Sequence, residues 1–213
     1  MTEVISELRN GGVIMIPLLL ASVLALAIVL ERAFALRRGK VVIGEIAESI
    51  RRIETEEDVR VLERICQSHP GPFSSVVIAA LDNRGLPPED LREVILDQGR
   101  QEVRVLERGL VMLETIASAS PLLGLMGTVL GMIKVFDVIS QQGLGQASVL
   151  SGGISEALIT TVTGLAIGIP ALVAYNFFTG KAESLIMDIE KYSTLLLHKV
   201  RSLTRDEGED LAV

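Results

Sequence analysis

Charge is distributed along this chain in blocks, and that alone removes most folds from consideration. No charged residue occurs from Asn10 to Leu30 and none from Thr115 to Ile133, and only Glu156 interrupts the run from Val138 to Gly180. Charge is dense from Glu31 to Arg108 and returns at Lys181. About 20 apolar residues cross the hydrocarbon core of a bilayer as a helix, and a helix satisfies its own backbone polar groups where water is absent. The blocks therefore predict an all-α membrane protein with three transmembrane helices and long cytoplasmic helical extensions. Hydrophobic residues make up 49% of the chain and charged ones 22%, values that are compatible only when the two kinds are segregated.

Several function classes drop out early. A net charge of -7 is unsuited to nucleic acid, whose binding rests on phosphate neutralisation. The single cysteine, Cys66, excludes an internal disulfide framework. With His69 it supplies too few ligands for a structural zinc site, and no metal or cofactor is expected. No nucleophile, base and orienting group converge in the apolar runs, so the chain is not expected to be an enzyme. The first apolar run follows Glu3, Glu7 and a lone Arg9 and ends in Glu31-Arg32 without a small-residue cleavage site, so it reads as a retained anchor.

The basic cluster Arg32, Arg37, Arg38 and Lys40 places the end of the first span in the cytoplasm. The expected organisation follows. Residues 1–36 are a periplasmic N-terminus and first span, and 37–108 a cytoplasmic helical loop. A second span covers 109–138, a short periplasmic loop 139–147 and a third span 148–180, with a cytoplasmic C-terminal helix and tail over 181–213. The loop residues Gln141, Gln142, Gly143 and Gly145 bring no cation, in keeping with an external position.

Within the loop, Ile43, Ile46, Ile50 and Ile53 recur at helical spacing and predict an extension of the first helix. Thr55 with Asp58 predicts an N-cap for a helix to about Gln67, which His69-Pro70-Gly71-Pro72 breaks. A short helix over 73–84 ends at Gly85, and Pro87, Pro88, Glu89 and Asp90 suit the first turn of another. That helix shows no break before Pro121 and is expected to run to Phe136, a length of roughly 70 Å. Its charges are expected to pair at helical spacing, Arg100 and Arg104 against Glu102 and Glu107. Leu185, Ile189, Leu196 and Val200 continue a helical pattern to about Arg205.

Chemistry is expected where polar groups enter the apolar runs. An ionised carboxylate at bilayer depth costs at least roughly 2.5–3.5 kcal/mol, which makes Glu156 a proton- or ion-handling candidate. Counting back from Lys181 instead puts it near the outer interface. Gly124, Gly127 and Gly131 in the second span and Gly164 and Gly168 in the third give GxxxG spacings for close helix packing, and imply a tight, oligomeric assembly. Pro121 and Pro170 read as kinks or packing features. A turn centred on Gln142 would set Thr128 level with Glu156, and Thr161 about 7.5 Å deeper. Thr160 shares the helical face of Glu156 while Thr161 lies about 140° away, so either hydroxyl is a candidate pore residue. Glu114 reads as interfacial, and Lys134 and Asp137 as snorkelling residues at the outer end.

The runs PLLGLMGTVLGMI (121–133) and GISEALITTVTGLAIGIPALVAYN (153–176) resemble the signature of ExbB/TolQ proton channels, relatives of the flagellar stator protein MotA. The opening IPLLLASVLALAIVLERAFAL (16–36), the Pro-Gly-Pro break and the long cytoplasmic loop are similar to that family too, so the resemblance spans essentially the whole chain. It implies a pentameric inner-membrane channel around an ExbD/TolR-like single-span dimer, with a TonB- or TolA-like energy transducer as a further partner. It also implies Glu156 as the pore glutamate and Thr128 and Thr161 as polar pore residues. MotA-type stators generally lack this glutamate, which favours the ExbB/TolQ branch; Thr160 beside Thr161 is a small departure from the pattern. The implied function is a subunit that harnesses the proton motive force for TonB-dependent uptake or Tol-type outer-membrane maintenance. The alternative is a structural scaffold without proton conduction, in which Glu156 pairs with a cation of another subunit.

Overall fold

A computed structural model describes residues 12–142 and 147–210. Among them every regular element is helical: α1 (Met15–Ala35), α2 (Arg38–Val41), α3 (Gly44–Arg52), α4 (Glu56–Ser68), α5 (Pro72–Asp82), α6 (Pro88–Leu106), α7 (Leu110–Gln142) and α8 (Ala147–Asp210). Three helices are long and apolar enough to cross a membrane, Met15–Ala35, Leu110–Gln141 and Ser151–Ser202. The chain divides into two compact units, one of Met1–Glu31 with Gly109–Phe177, the other of Arg32–Arg108 with Phe178–Val213.

The first unit holds the apolar helices, and each buries one stripe. Leu113, Ile116, Ala117, Ser120 and Val135 are buried on α7, as are Ala157, Thr160 and Ala171 on α8. Ile14, just before α1, and Met15 and Leu18 within it form a buried cluster against Leu123 and Ile167. The remaining large side chains, among them Leu122, Leu125, Val129, Leu158 and Val162, face outward. An apolar exterior of this kind is stable in lipid and not in water.

The second unit is built on local signals in the sequence. Thr55 and Asp58 form a reciprocal capping box at the start of α4. Pro72 and Pro88 each occupy the first position of their helix, where a missing N–H costs nothing. The Ser74 hydroxyl donates to the His69 carbonyl across the break between α4 and α5. Ile46, Ile50, Leu62, Cys66, Phe73, Val77, Leu185, Ile189 and Leu196 are buried in this unit. Each large apolar side chain so enclosed contributes about 1.5–3 kcal/mol.

Two cations fasten this unit at helix C-termini, where carbonyls lack intrahelical partners. Arg32 is 3% exposed and its Nη1 donates to Leu106 O (3.1 Å) and Val105 O (3.3 Å) at the end of α6. Lys199 Nζ donates to Ile53 O, the C-cap of α3, at 2.9 Å. Tyr192 rests on Phe73 with ring centroids 5.6 Å apart and accepts from Arg51 Nη2 at 3.0 Å.

Four expectations change. The first helix does not extend through Ile53: it ends at Ala35, and α2 and α3 are separate, with Ile43 in extended backbone as the N-cap of α3. The helix from Pro88 does not reach Phe136 either; it stops at Leu106, and Gly109 at φ 78° interrupts the path before α7. Only glycine takes that conformation cheaply, so a residue that reads as neutral within a helical pattern is the break. Arg100 pairs with Asp97 at 3.0 Å, three residues back, rather than with Glu102, which accepts from Gln98. Finally, Gln141 and Gln142 belong to α7, and α8 is continuous from Ala147 to Asp210, past both Lys181 and Arg205. Gly143 and Gly145 lie outside the described residues.

Candidate functional site

The polar residues of the first unit are organised by a glycine seam between α7 and α8. A Cβ on Gly124 would meet Thr160 O at 2.9 Å, one on Gly131 would meet Gly153 O at 3.0 Å, and one on Gly168 would meet the Pro121 ring at 2.7 Å. Gly127 receives the Thr160 side chain in the same way. The two backbones thus touch where small residues allow it, which gains dispersion contacts in lipid. All five glycines of the sequence analysis lie on this seam within one chain, with Pro121 beside them; Pro170 is exposed on α8. The small faces of these glycines are occupied by their own chain.

The seam fixes the register of the polar groups. Thr161 Oγ1 donates to Gly124 O at 3.1 Å across the helix pair and lies 3.4 Å from Thr128 Oγ1, which itself donates to Leu125 O at 2.6 Å. At 3.4 Å the two hydroxyls are neighbours rather than a short O–H···O bond. Each has one proton and two lone pairs, so the directions of donation can be exchanged between them. Thr160 is buried and donates to Ala157 O (2.8 Å) of its own helix. Both threonines turn toward α7, but only the hydroxyl of Thr161 reaches across.

Glu156 lies elsewhere. Its Oε1 accepts from Lys134 Nζ at 2.5 Å, and its side chain is 22% exposed against 58% for the lysine. Lys134 is six residues beyond Thr128 on α7, and Glu156 five before Thr161 on α8, a separation of about 8–9 Å along the helices. The expected level of Thr128 with Glu156 is therefore wrong by about one and a half helical turns: Thr128 is level with Thr161, because α7 includes the glutamines that were read as its loop.

The chain just before α1 closes over the pair. Gly12, at φ 68°, has Glu156 Oε1 where its Cβ would be, with Lys134 Nζ 3.7 Å from that point. The span of α1 begins three residues later, and its 21 residues rise about 31 Å, the thickness of a hydrocarbon core. This sets Glu156 near the Met15 end of the first span rather than at its middle. Exposed ion pairs contribute about 0–1 kcal/mol, so this one does little for stability.

Lys134 and Gly12 are the residues that sequence reasoning did not connect with Glu156; 22 residues separate the ion-pair partners, and no spacing rule links them. Glu114 is exposed on the first turns of α7. Cys66 is fully buried, and burial followed by the charge of Glu63 pushes its thiol up to about 12. No group of His, Cys, Asp or Glu among the described residues is arranged to hold a metal ion.

Residues 44–191 match the family described as the MotA/TolQ/ExbB proton channel family. The chain is 31% identical to the biopolymer transport protein ExbB-like 3 of Synechocystis sp. over 170 residues, 79% of this chain and 81% of that one. It is 31% identical to the Tol-Pal system protein TolQ of Pseudomonas aeruginosa over 203 residues, 87% of each. A shorter stretch of 85 residues, 40% of this chain and 57% of the relative, is 35% identical to the biopolymer transport protein ExbB of Aquifex aeolicus. With three apolar helices, a glycine seam and a match over most of its length, this chain belongs to the ExbB/TolQ branch of the MotA/TolQ/ExbB proton channel family, a multi-pass membrane protein of a transport family.

Proposed function

We propose that this chain is the channel subunit of a proton-driven motor of the bacterial inner membrane, which energises either TonB-dependent uptake or Tol-type outer-membrane maintenance. In this reading five copies surround the membrane helices of an ExbD/TolR-like dimer, and a TonB- or TolA-like transducer carries the work outward. The N-terminus is periplasmic and the C-terminus cytoplasmic. Glu156, Thr128 and Thr161 line the proton path, with Thr160 packed behind it.

The observation that supports this most is the contact of Thr128 with Thr161. Two hydroxyls able to exchange donor and acceptor roles sit on adjacent spans of a proton-channel family member, with a carboxylate on their outer side. The driving force is adequate, since one charge crossing 100 mV releases about 2.3 kcal/mol, enough to bias a step between packed helices. The test is Glu156→Gln, which keeps shape and removes titration. Native mass spectrometry should give an unchanged assembly with its single-span partner, while proton-driven function is lost or strongly reduced. Wild-type activity in that variant sinks the reading.

A structural scaffold without conduction is the second reading, and the Lys134–Glu156 pair is the observation in its favour. A carboxylate neutralised by its own chain, rather than by another subunit, is what a purely structural charge requires. On that reading Glu156→Gln works as well as wild type wherever it assembles.

A further inference from the structure

Resting on the proton-path reading, we propose that Lys134 is a positioning residue for Glu156, holding its carboxylate at the outer mouth of the path beneath Gly12. Three elements converge there. Lys134 projects from α7 and donates to Glu156 on α8 at 2.5 Å, while the backbone of Gly12, just before α1, occupies the remaining side. Glu156 has rotameric freedom of its own, and among the described residues Lys134 is the side chain that gives its carboxylate a direction. The lysine supplies that selection. Its ammonium is a compact charge on a flexible stem, suited to follow the carboxylate if the helices shift.

Gly12 makes the position exacting. Its left-handed φ of 68° is costly for other residues, and any side chain there would displace the carboxylate from the lysine. The carboxylate is thus held between a cation and a backbone wall, on the side from which protons would enter in the proposed orientation. Lys134 touches neither Thr128 nor Thr161 and acts only through where Glu156 stands. Such geometric control matters because displacement of a reacting group by about 1 Å can cost on the order of 10²-fold in rate.

The test uses the full chain copurified with its single-span partner and reconstituted in lipid vesicles, with proton flux read from an internal pH dye under an imposed potential. Lys134→Gln should lower flux by about tenfold or more, and Lys134→Arg should keep it within about twofold, because arginine preserves the charge at hydrogen-bond reach. The double variant Lys134→Gln/Glu156→Gln should be no worse than Glu156→Gln alone, since the lysine has no other task. A second readout is independent of flux: a water-soluble carbodiimide should join Lys134 to Glu156 as an amide, seen by peptide mass spectrometry as the loss of one water. Wild-type flux in Lys134→Gln while Glu156→Gln is inactive overturns the positioning role and leaves the proton path standing. Losses that multiply in the double variant, or no cross-link in the native complex, overturn it as well. Full flux in Glu156→Gln removes the proton path and the positioning role together.

Discussion

Gly164 of α8 lies against Gly124 of α7 so closely that a Cβ on Gly164 would stand 2.9 Å from Gly124 Cα and 2.5 Å from Ser120 O. No flexible side chain is available to yield at this point, because the atoms in the way are backbone.

Gly164→Ala is therefore expected to force α7 and α8 apart and to destabilise the protein by about 1–3 kcal/mol, the usual cost of overpacking. Gly180→Ala is the control, since nothing lies within 4 Å of a Cβ there. Thermal unfolding of the purified protein in detergent should show a lower Tm for the first variant and none of that loss for the second. Equal melting would mean that the seam can open at no cost.

The threonines separate by what their hydroxyls do. Thr161→Val keeps the shape and removes the donor to Gly124 O, and should reduce proton-driven function by roughly an order of magnitude. Thr161→Ser should retain most of it. Thr160→Val removes a hydroxyl bonded only within its own helix and should cost less, and a larger loss at Thr160 than at Thr161 would reverse their assignment.

Cys66 should be inert in the folded protein. Its thiol is pushed up to about 12 by burial first and by Glu63 second, and only the thiolate is nucleophilic. Maleimide at pH 7 should leave the native chain unmodified and label it once after denaturation. Because Cys66 is the only cysteine, the mass of the intact protein reads this directly.

Asp58 supplies a pH dependence of definite sign. The backbone N–H of Glu54, then the Thr55 hydroxyl and the Thr55 N–H, hold its carboxyl below the ordinary value of 3.8. A depressed folded value means that the stabilisation is present above 3.8 and is lost as pH falls through the folded value. Asp58→Asn should therefore be less stable than wild type in denaturant unfolding at pH 7, and the two should converge in strong acid. A gap that persists there would mean that the side chain acts by shape and not by charge.

Local chemistry was legible in the sequence, and long-range pairing was not. The capping box at Thr55 and Asp58 and the proline starts of α5 and α6 involve neighbours a few residues apart, so spacing alone announces them. The three spans were equally plain, because the absence of charge over such lengths has few other readings. The level of Glu156 with Thr128 was misjudged because the position of a turn sets register, and Gln141 and Gln142, read as loop, are the last residues of α7. Gly109 was missed for a different reason: its left-handed backbone is a property of the path and leaves no mark in composition. Lys134 could be explained by snorkelling, which a lysine at a helix end always allows, so its partner stayed hidden.

The glycine seam has a consequence for any assembly around this chain. With Gly124, Gly127, Gly131, Gly164 and Gly168 turned inward, the outer surface of α7 and α8 carries long side chains such as Leu122, Met126, Val129, Leu158, Val162 and Ile169. Backbone against backbone locks two helices at one depth and angle, whereas on the outward faces Met and Leu can change rotamer while Val and Ile are held by their branching. The chain is thus stiffest along its internal join, and a partner packing on its outward faces would meet side chains rather than backbone.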